Sequence, residues 1–310
     1  MSLKRFQNYF FILPVVCVTA SLFCILMFGL RPGIDLAGGS FLQVTYPDGR
    51  PSSEAIQDAV QALDLGEVRV QPANAEDYIL RQRSLTEDEK TRLDDTLATF
   101  GTVEEVQYNS VGPSIGSELM RKAWWAIGLV ILTTILYIAF AFRGVSKPVA
   151  SWKYGMVAII TLAHDVVIPM GLFAFLGYIT GAEVGSLFIV ALLTILGISI
   201  NDTIVIFDRI RENLMHNERD AVVESYADVV WKSIVQTMAR SVNTSLTVIM
   251  MLLALMFLGP EATDELALTL TVGMIAGTYS SIFLAAPLLV LIEKYQKPPK
   301  ANEEPTVQTV

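Results

Sequence analysis

Little of this 310-residue chain is charged, and little of it is equipped for catalysis. Asp, Glu, Lys and Arg make up 17% of it, against roughly 25% in an ordinary soluble domain. There are two histidines, His164 and His216, and no HExxH spacing, which leaves no evident zinc site. The two cysteines, Cys17 and Cys24, share one apolar run. Seven residues of helix hold them about 10 Å apart, too far to bridge, and they read as packing or lipid-facing residues. Neither a Walker A loop nor a GxSxG elbow occurs. Gly38-Gly39 lacks the rest of a dinucleotide fingerprint. An intramembrane aspartyl protease needs two converging carboxylates; Asp165 and Asp202 are candidates, but no Gly-x-Gly-Asp surrounds Asp202. No basic cluster with interleaved aromatics supports nucleic-acid binding. The expectation is a non-enzyme without metal or organic cofactor.

Apolar residues, by contrast, make up 53% of the chain, and the mean hydropathy is +0.50. Several uncharged runs reach about 20 residues, the length that crosses a bilayer. The expected spans are roughly 9–30, 122–142, 154–177, 185–208, 240–259 and 265–292. The fold class is then an integral membrane, all-α six-span bundle with a small extracytoplasmic α/β domain. The run from Tyr9 to Leu30 is longer than a signal-peptide core and reads as a retained first span. Loop charges orient the spans by the positive-inside rule. Lys4 and Arg5; Arg143, Lys147 and Lys153; Arg209, Arg211, Arg219, Lys232 and Arg240; and Lys294, Lys297 and Lys300 fall on one side. The short loops 178–184 and 260–264 contain no Lys or Arg. Both termini are therefore expected in the cytoplasm, with a cytoplasmic loop at 209–239 and a tail at 293–310.

Segment 31–121 is then external, and acidic: residues 31–122 carry 16 Asp or Glu against 9 Lys or Arg. Ser40–Tyr46 alternates as a strand. Ser52–Leu63 reads as a helix opened by Pro51-Ser52-Ser53. Val68–Gln71 and Tyr78–Arg83 read as strands separated by Pro72 and Asn74. Thr86 and Glu89 have capping-box spacing at the head of a helix to Phe100, and Val103–Ser110 is a last strand. The order β-α-β-β-α-β predicts a ferredoxin-like arrangement.

An ionisable residue inside a span costs about 2.5–3.5 kcal/mol on insertion scales and marks a functional candidate. Asp202 lies past the centre of the fourth span. Thr194 and Asn201 share a helix face, with Ile198 and Asp202 on the neighbouring row. Burial raises a carboxyl pKa and a nearby cation lowers it. Arg240, expected at the start of the fifth span, is the natural cation, and together the two suit Asp202 to take up and release protons. A static Asp202–Arg240 packing pair is the competing reading. His164-Asp165, in the middle of the third span, reads equally well as a packing contact or as part of an ion path. Gly273 and Gly277 form a GxxxG spacing for close helix approach, continued by the small residues Thr278, Ser280 and Ser281, and Gly197 and Ser199 permit a close contact or a local break.

Five motifs go together: Gly33-Ile34-Asp35-Leu36-Ala37-Gly38-Gly39-Ser40; Val111-Gly112-Pro113-Ser114-Ile115-Gly116; the run from Thr194 to Asn213; Arg240-Ser241-Val242-Asn243-Thr244-Ser245-Leu246-Thr247; and Gly277-Thr278-Tyr279-Ser280-Ser281-Ile282-Phe283. In order and spacing they resemble the SecF family, the smaller subunits of the bacterial SecDF protein-export factor within the RND superfamily. The similarity spans nearly the whole chain; Ser40 stands where a Thr is common. The resemblance implies a SecD partner with six further spans, association with the SecYEG channel and often YajC, and unfolded secretory proteins as cargo. It implies use of the proton-motive force across the bacterial inner membrane, with protons as the coupling ion. On the matching positions it makes Asp202 the proton-linked carboxylate, Arg240 its nearby arginine, and Thr244 and Ser245 polar neighbours of the pathway, beside Asn201. An RND-type exporter of lipids or small molecules is the alternative. Such exporters are usually single chains of twelve spans with two large external domains. A purely structural partner subunit is a third reading.

Overall fold

The computed structural model describes residues 10–73, 75–142, 148–260 and 263–295. Lys4, Arg5, Arg143, Lys147, Lys297, Lys300, Asn74 and the tail beyond Tyr295 lie outside the described residues. The chain divides into two compact units. One comprises residues 24–129 and 172–191, the other residues 1–23, 130–171 and 192–310.

In chain order the elements are α1 (Ile12–Phe28), α2 (Ile34–Ala37), β1 (Gly39–Thr45), α3 (Ser53–Gln61), β2 (Arg69–Pro72), β3 (Asp77–Gln82), α4 (Glu87–Ala98) and β4 (Glu104–Val111). Five long helices follow: α5 (Pro113–Ala141), α6 (Ser151–Thr180), α7 (Ser186–Arg219), α8 (Tyr226–Leu258) and α9 (Asp264–Lys294). These five are long and apolar enough to cross a membrane; α1, at 17 residues, is shorter.

The first unit contains a four-stranded antiparallel sheet in the order β2-β3-β1-β4. The period-two alternation of β1 and β3 buries Leu42, Val44, Tyr78 and Leu80 on one face. Two helices cover that face. The Ser52 hydroxyl caps α3 by accepting from the Ala55 N–H at 3.2 Å, and Ile56 and Val60, one turn apart, point inward. Thr86 and Glu89 close a reciprocal capping box on α4, whose Leu93 and Leu97 complete the core. The Tyr46 hydroxyl crosses the core to donate to the Leu97 carbonyl at 3.1 Å.

The second unit is helical. Its core is built on Phe142, Tyr154 and Phe207, whose ring centroids lie 5.2–6.1 Å apart in one stacked and two edge-on contacts. Ile206, Ile210, Val230, Ile234 and Leu289 pack around them. The helices overrun the apolar windows that announce them. Helix α7 continues eleven residues past 208, and α8 begins fourteen residues before 240. Only residues 220–225 separate the two. The reason is lateral pairing: Asn213 donates to Ser233 at 2.8 Å and to Gln236 at 2.9 Å, and Arg209 donates to Gln236 at 2.7 Å. Arg240 is accordingly not at a helix start but mid-helix.

Helix α9 contains a π-helical turn, Ser281–Ala285. Pro287 supplies a physical cause. It has no N–H for the carbonyl one turn back, and its ring would clash there, so the turn before it widens.

Candidate functional site

Helix α7 turns a row of residues inward: Ile195, Ser199, Asp202, Thr203, Ile206 and Ile210 are all buried. Asp202, 7% exposed, is thus a carboxyl set into the packed face of a span-length helix. Opposite it, α8 presents a row of small hydroxyl residues one turn apart: Ser233, Thr237, Ser241 and Ser245. Ser233, Thr237 and Ser245 each donate to the carbonyl four residues back, at 2.8, 3.0 and 2.9 Å. That back-bonding satisfies the hydroxyl inside the helix and keeps the face slim. The Ser245 hydroxyl neighbours the Asp202 carboxyl, and Arg240 acts on it by charge.

The residues expected around Asp202 separate into two sets. Asp202 and Ser245 are buried, whereas Asn201, Arg240 and Thr244 are exposed in this chain. The expected Asp202–Arg240 pair is therefore an interaction at longer range, with no ion pair within 4.0 Å between these two described residues. Asn243 and Thr247 are exposed as well. Arg240, Asn243, Thr244 and Thr247 form a polar stripe along the outer side of α8.

A second polar centre surrounds Asp165, which is 0% exposed. The His164 Nδ1 lies 2.8 Å from Asp165 Oδ1, and the Ser199 hydroxyl donates to Oδ2. Both carboxyl oxygens are thus engaged, one from α6 and one from α7. Helix α9 closes the third side: an added Cβ at Gly277 would stand 3.6 Å from Asp165 Oδ2 and 3.2 Å from Ser199 Cβ. One turn further, Thr203 and Ser281 hydroxyls meet at 3.0 Å, at the first residue of the π turn. Such turns concentrate at functional positions. His164 also lines a cavity of about 210 Å³ with Leu13, Cys17, Ile168, Ile275 and Tyr279.

Gly273 brings α9 against Ile195 of α7, where an added Cβ would lie 2.2 Å from Ile195 Cδ1. Gly197 does not act this way. It is exposed, and an added Cβ would meet nothing within 4 Å, so the expected close contact at this residue is absent from this chain. Ser199 and Ser281 read in the sequence as small packing residues, and Thr203 only as part of a motif; their side-chain hydrogen bonds were not anticipated. Their signal was the spacing of Ser199 and Thr203, one turn apart in the row of Asp202. Among the described residues no group of three His, Cys, Asp or Glu side chains could hold a metal.

Residues 92–295 match the family described as protein export membrane protein SecD/SecF, C-terminal. The chain is 40% identical over 304 residues to the protein translocase subunit SecF of Thermobaculum terrenum, covering 94% of this chain and 93% of that one. It is 35% identical over 310 residues to the SecF of Sebaldella termitidis, covering 98% and 95%. The crystal structure of SecDF from Thermus thermophilus, a translocon-associated membrane protein, superposes with a TM-score of 0.79 at 30% identity. The match covers 96% of this chain and 39% of that longer one.

Proposed function

The chain belongs to the SecF family of protein translocase subunits, and from that membership we propose that it is the proton-coupled SecF half of an export device in a bacterial cytoplasmic membrane. The observation that carries this is Asp202: a buried carboxyl on the packed face of α7, beside Ser245 and within the field of Arg240. A carboxyl placed so is costly unless it is used. In the proposed cycle a proton binds Asp202, its attraction to Arg240 weakens, and α7 and α8 repack. One charge moving through 100 mV yields about 2.3 kcal/mol, enough to bias a rearrangement whose two states differ by a few kcal/mol. The coupling ion is a proton, and the subunit performs no bond-making chemistry of its own.

The outward stripe of Arg240, Asn243, Thr244 and Thr247 supports a partner. Thr244 and Thr247 donate to the Arg240 and Asn243 carbonyls of their own helix, but lipid does not solvate the Arg240 and Asn243 side chains, which favours a cover by another membrane helix with polar groups. A SecD chain is the proposed cover, and the complementary half of the proton path lies on it. SecYEG, YajC and unfolded secretory proteins follow as the wider assembly and cargo. Helix α1 is read as the first of six spans, both termini as cytoplasmic, and the sheet unit as a ferredoxin-like domain outside. The β2-β3-β1-β4 order supports that last reading.

The test is Asp202→Asn and Arg240→Ala in cells depleted of their own SecF. Each is expected to lower proton-dependent export at least tenfold with the chain still in the membrane. Undiminished export in Asp202→Asn would remove the proton role and leave the family membership standing.

A further inference from the structure

The motif Gly33–Ser40 takes no part in that proton cycle, yet it ties several chain segments together. The Gly33 N–H donates to the Val184 carbonyl at 2.9 Å, and the Val184 N–H to the Arg31 carbonyl at 2.8 Å. Beside this, Arg81 of β3 pairs with Glu183 at 3.3 Å. Burial pushes the Glu183 carboxyl up, and Arg81, Arg69 and Arg31 pull it back. Gly38 and Gly116 meet backbone to backbone: an added Cβ on Gly116 would lie 2.7 Å from the Gly38 nitrogen, and one on Gly38 2.7 Å from Pro113 Cα. Two of the five sequence motifs therefore touch at the head of α5. Gly39 then enters β1 and pairs with Val111.

At the centre stands Asp35. Its Oδ2 accepts from both the backbone N–H of Ser186, at 3.2 Å, and the Ser186 hydroxyl, at 2.6 Å. Ser186 is the first residue of α7. The first N–H groups of a helix have no partner within it and carry the positive end of its dipole. Asp35 supplies the missing acceptor, as a carboxylate, from a segment joined directly to the sheet. Asp202 lies sixteen residues further along the same unbroken helix, about 24 Å of rise.

We propose that Asp35 is a positioning residue for transport: it clamps the start of α7 to the sheet, so that movement of α7 at Asp202 becomes movement of the external strands. This rests on the proton-coupled reading of Asp202. A helix with its ladder intact is stiff along its axis, and the four links at residues 31–35, 81 and 183–186 leave little slack at its external end. A cap that served stability alone would occupy the same position but would give a different signature. Its loss would lower proton uptake and export together, because the whole subunit would be affected.

The experiment uses the full chain, co-produced with its SecD-type partner in cells depleted of their own SecF. Proton uptake by inverted membrane vesicles and export of a secreted reporter are measured side by side. Asp35→Ala is expected to cut export at least fivefold while Asp202-dependent proton uptake stays within twofold. Asp35→Glu, which keeps the carboxylate, is expected to restore at least half of the export. Equal losses of uptake and export in Asp35→Ala would overturn the proposal, and so would unchanged export. If Asp35→Ala does not accumulate, Ser186→Ala is measured the same way; it removes the hydroxyl bond and keeps the N–H bond. A threefold loss of export with unchanged uptake supports the clamp, and parallel or absent changes overturn it. If Asp202→Asn takes up protons and exports normally, the proton reading fails by itself, and unchanged export in Asp35→Ala still overturns the clamp.

Discussion

Gly273→Ala puts one methyl group where α7 and α9 leave no room. An ideal Cβ at Gly273 falls 2.2 Å from Ile195 Cδ1, 2.4 Å from Cγ1 and 3.1 Å from Cγ2. Carbon contacts settle at about 3.5–4.0 Å, so either Ile195 leaves its rotamer or the helices part by more than an ångström. Adding a methylene to a filled core costs about 1–3 kcal/mol. Against that, alanine is the better helix former by up to about 1 kcal/mol. Gly197→Ala separates the two effects, because its Cβ meets nothing within 4 Å and collects the propensity gain alone. The two variants should therefore differ by about 1–3 kcal/mol, roughly 5- to 150-fold in the folding equilibrium. Reversible unfolding in bicelles by SDS titration measures both. Removing the obstacle should compensate: Gly273→Ala with Ile195→Ala should cost about 1–3 kcal/mol less than the sum of the singles. Equal stability of Gly273→Ala and Gly197→Ala would refute the close approach of α9 to α7.

Two further predictions concern single hydrogen bonds. Ser199→Ala leaves Asp165 Oδ2 without its donor inside a closed three-helix contact, and should destabilise the helical unit by about 1–3 kcal/mol, read by the same titration. No loss would mean that the Ser199 bond contributes nothing. The Tyr46 phenol is pushed up to about 12 by burial and by Tyr78. Its folded value exceeds the ordinary 10, so its contribution is intact below that pH and is lost as the pH rises towards the folded value. Tyr46→Phe should cost about 0.5–1.5 kcal/mol at neutral pH through the lost bond to Leu97 and should flatten the alkaline decline. Pulse proteolysis of the sheet segment in urea at neutral and strongly alkaline pH tests this; an unchanged alkaline slope would contradict it.

Much of this architecture was legible because local chemistry repeats itself in space. Ser52, and Thr86 with Glu89, announce helix starts through caps that need no distant partner. Leu42, Val44, Tyr78 and Leu80 mark one sheet face by alternation alone. Asp202 and Asp165 stand out because an apolar run makes any carboxylate conspicuous. What stayed hidden depends on other chain segments. The extension of α7 and α8 comes from Asn213 and Gln236 meeting across a hairpin, and hydropathy does not register that. Ser199 was hard to single out because a serine in such a helix commonly bonds its own backbone, and its turn towards Asp165 exists only once α6 is beside it. Which side of α8 carries Arg240 and which carries Ser245 likewise depends on the neighbours. The link from Asp35 to Ser186 spans 151 residues and has no local trace at all.

The widened turn at Ser281–Ala285 has a mechanical consequence. A turn of this kind holds one residue more than a regular turn. Rewinding it to a regular α-turn would rotate everything beyond by about one residue's share of the circle, roughly 100°. Leu289, fully buried against the aromatic cluster, would swing out of its place, while Gly273 and Gly277 would stay seated. Helix α9 is in this respect two shafts on one axis, whose relative rotation is set by the width of this one turn. The hydroxyl of Ser281, at the first residue of that turn, meets Thr203 in the row of Asp202 at 3.0 Å, so the near shaft is tied to α7 where the far one would turn.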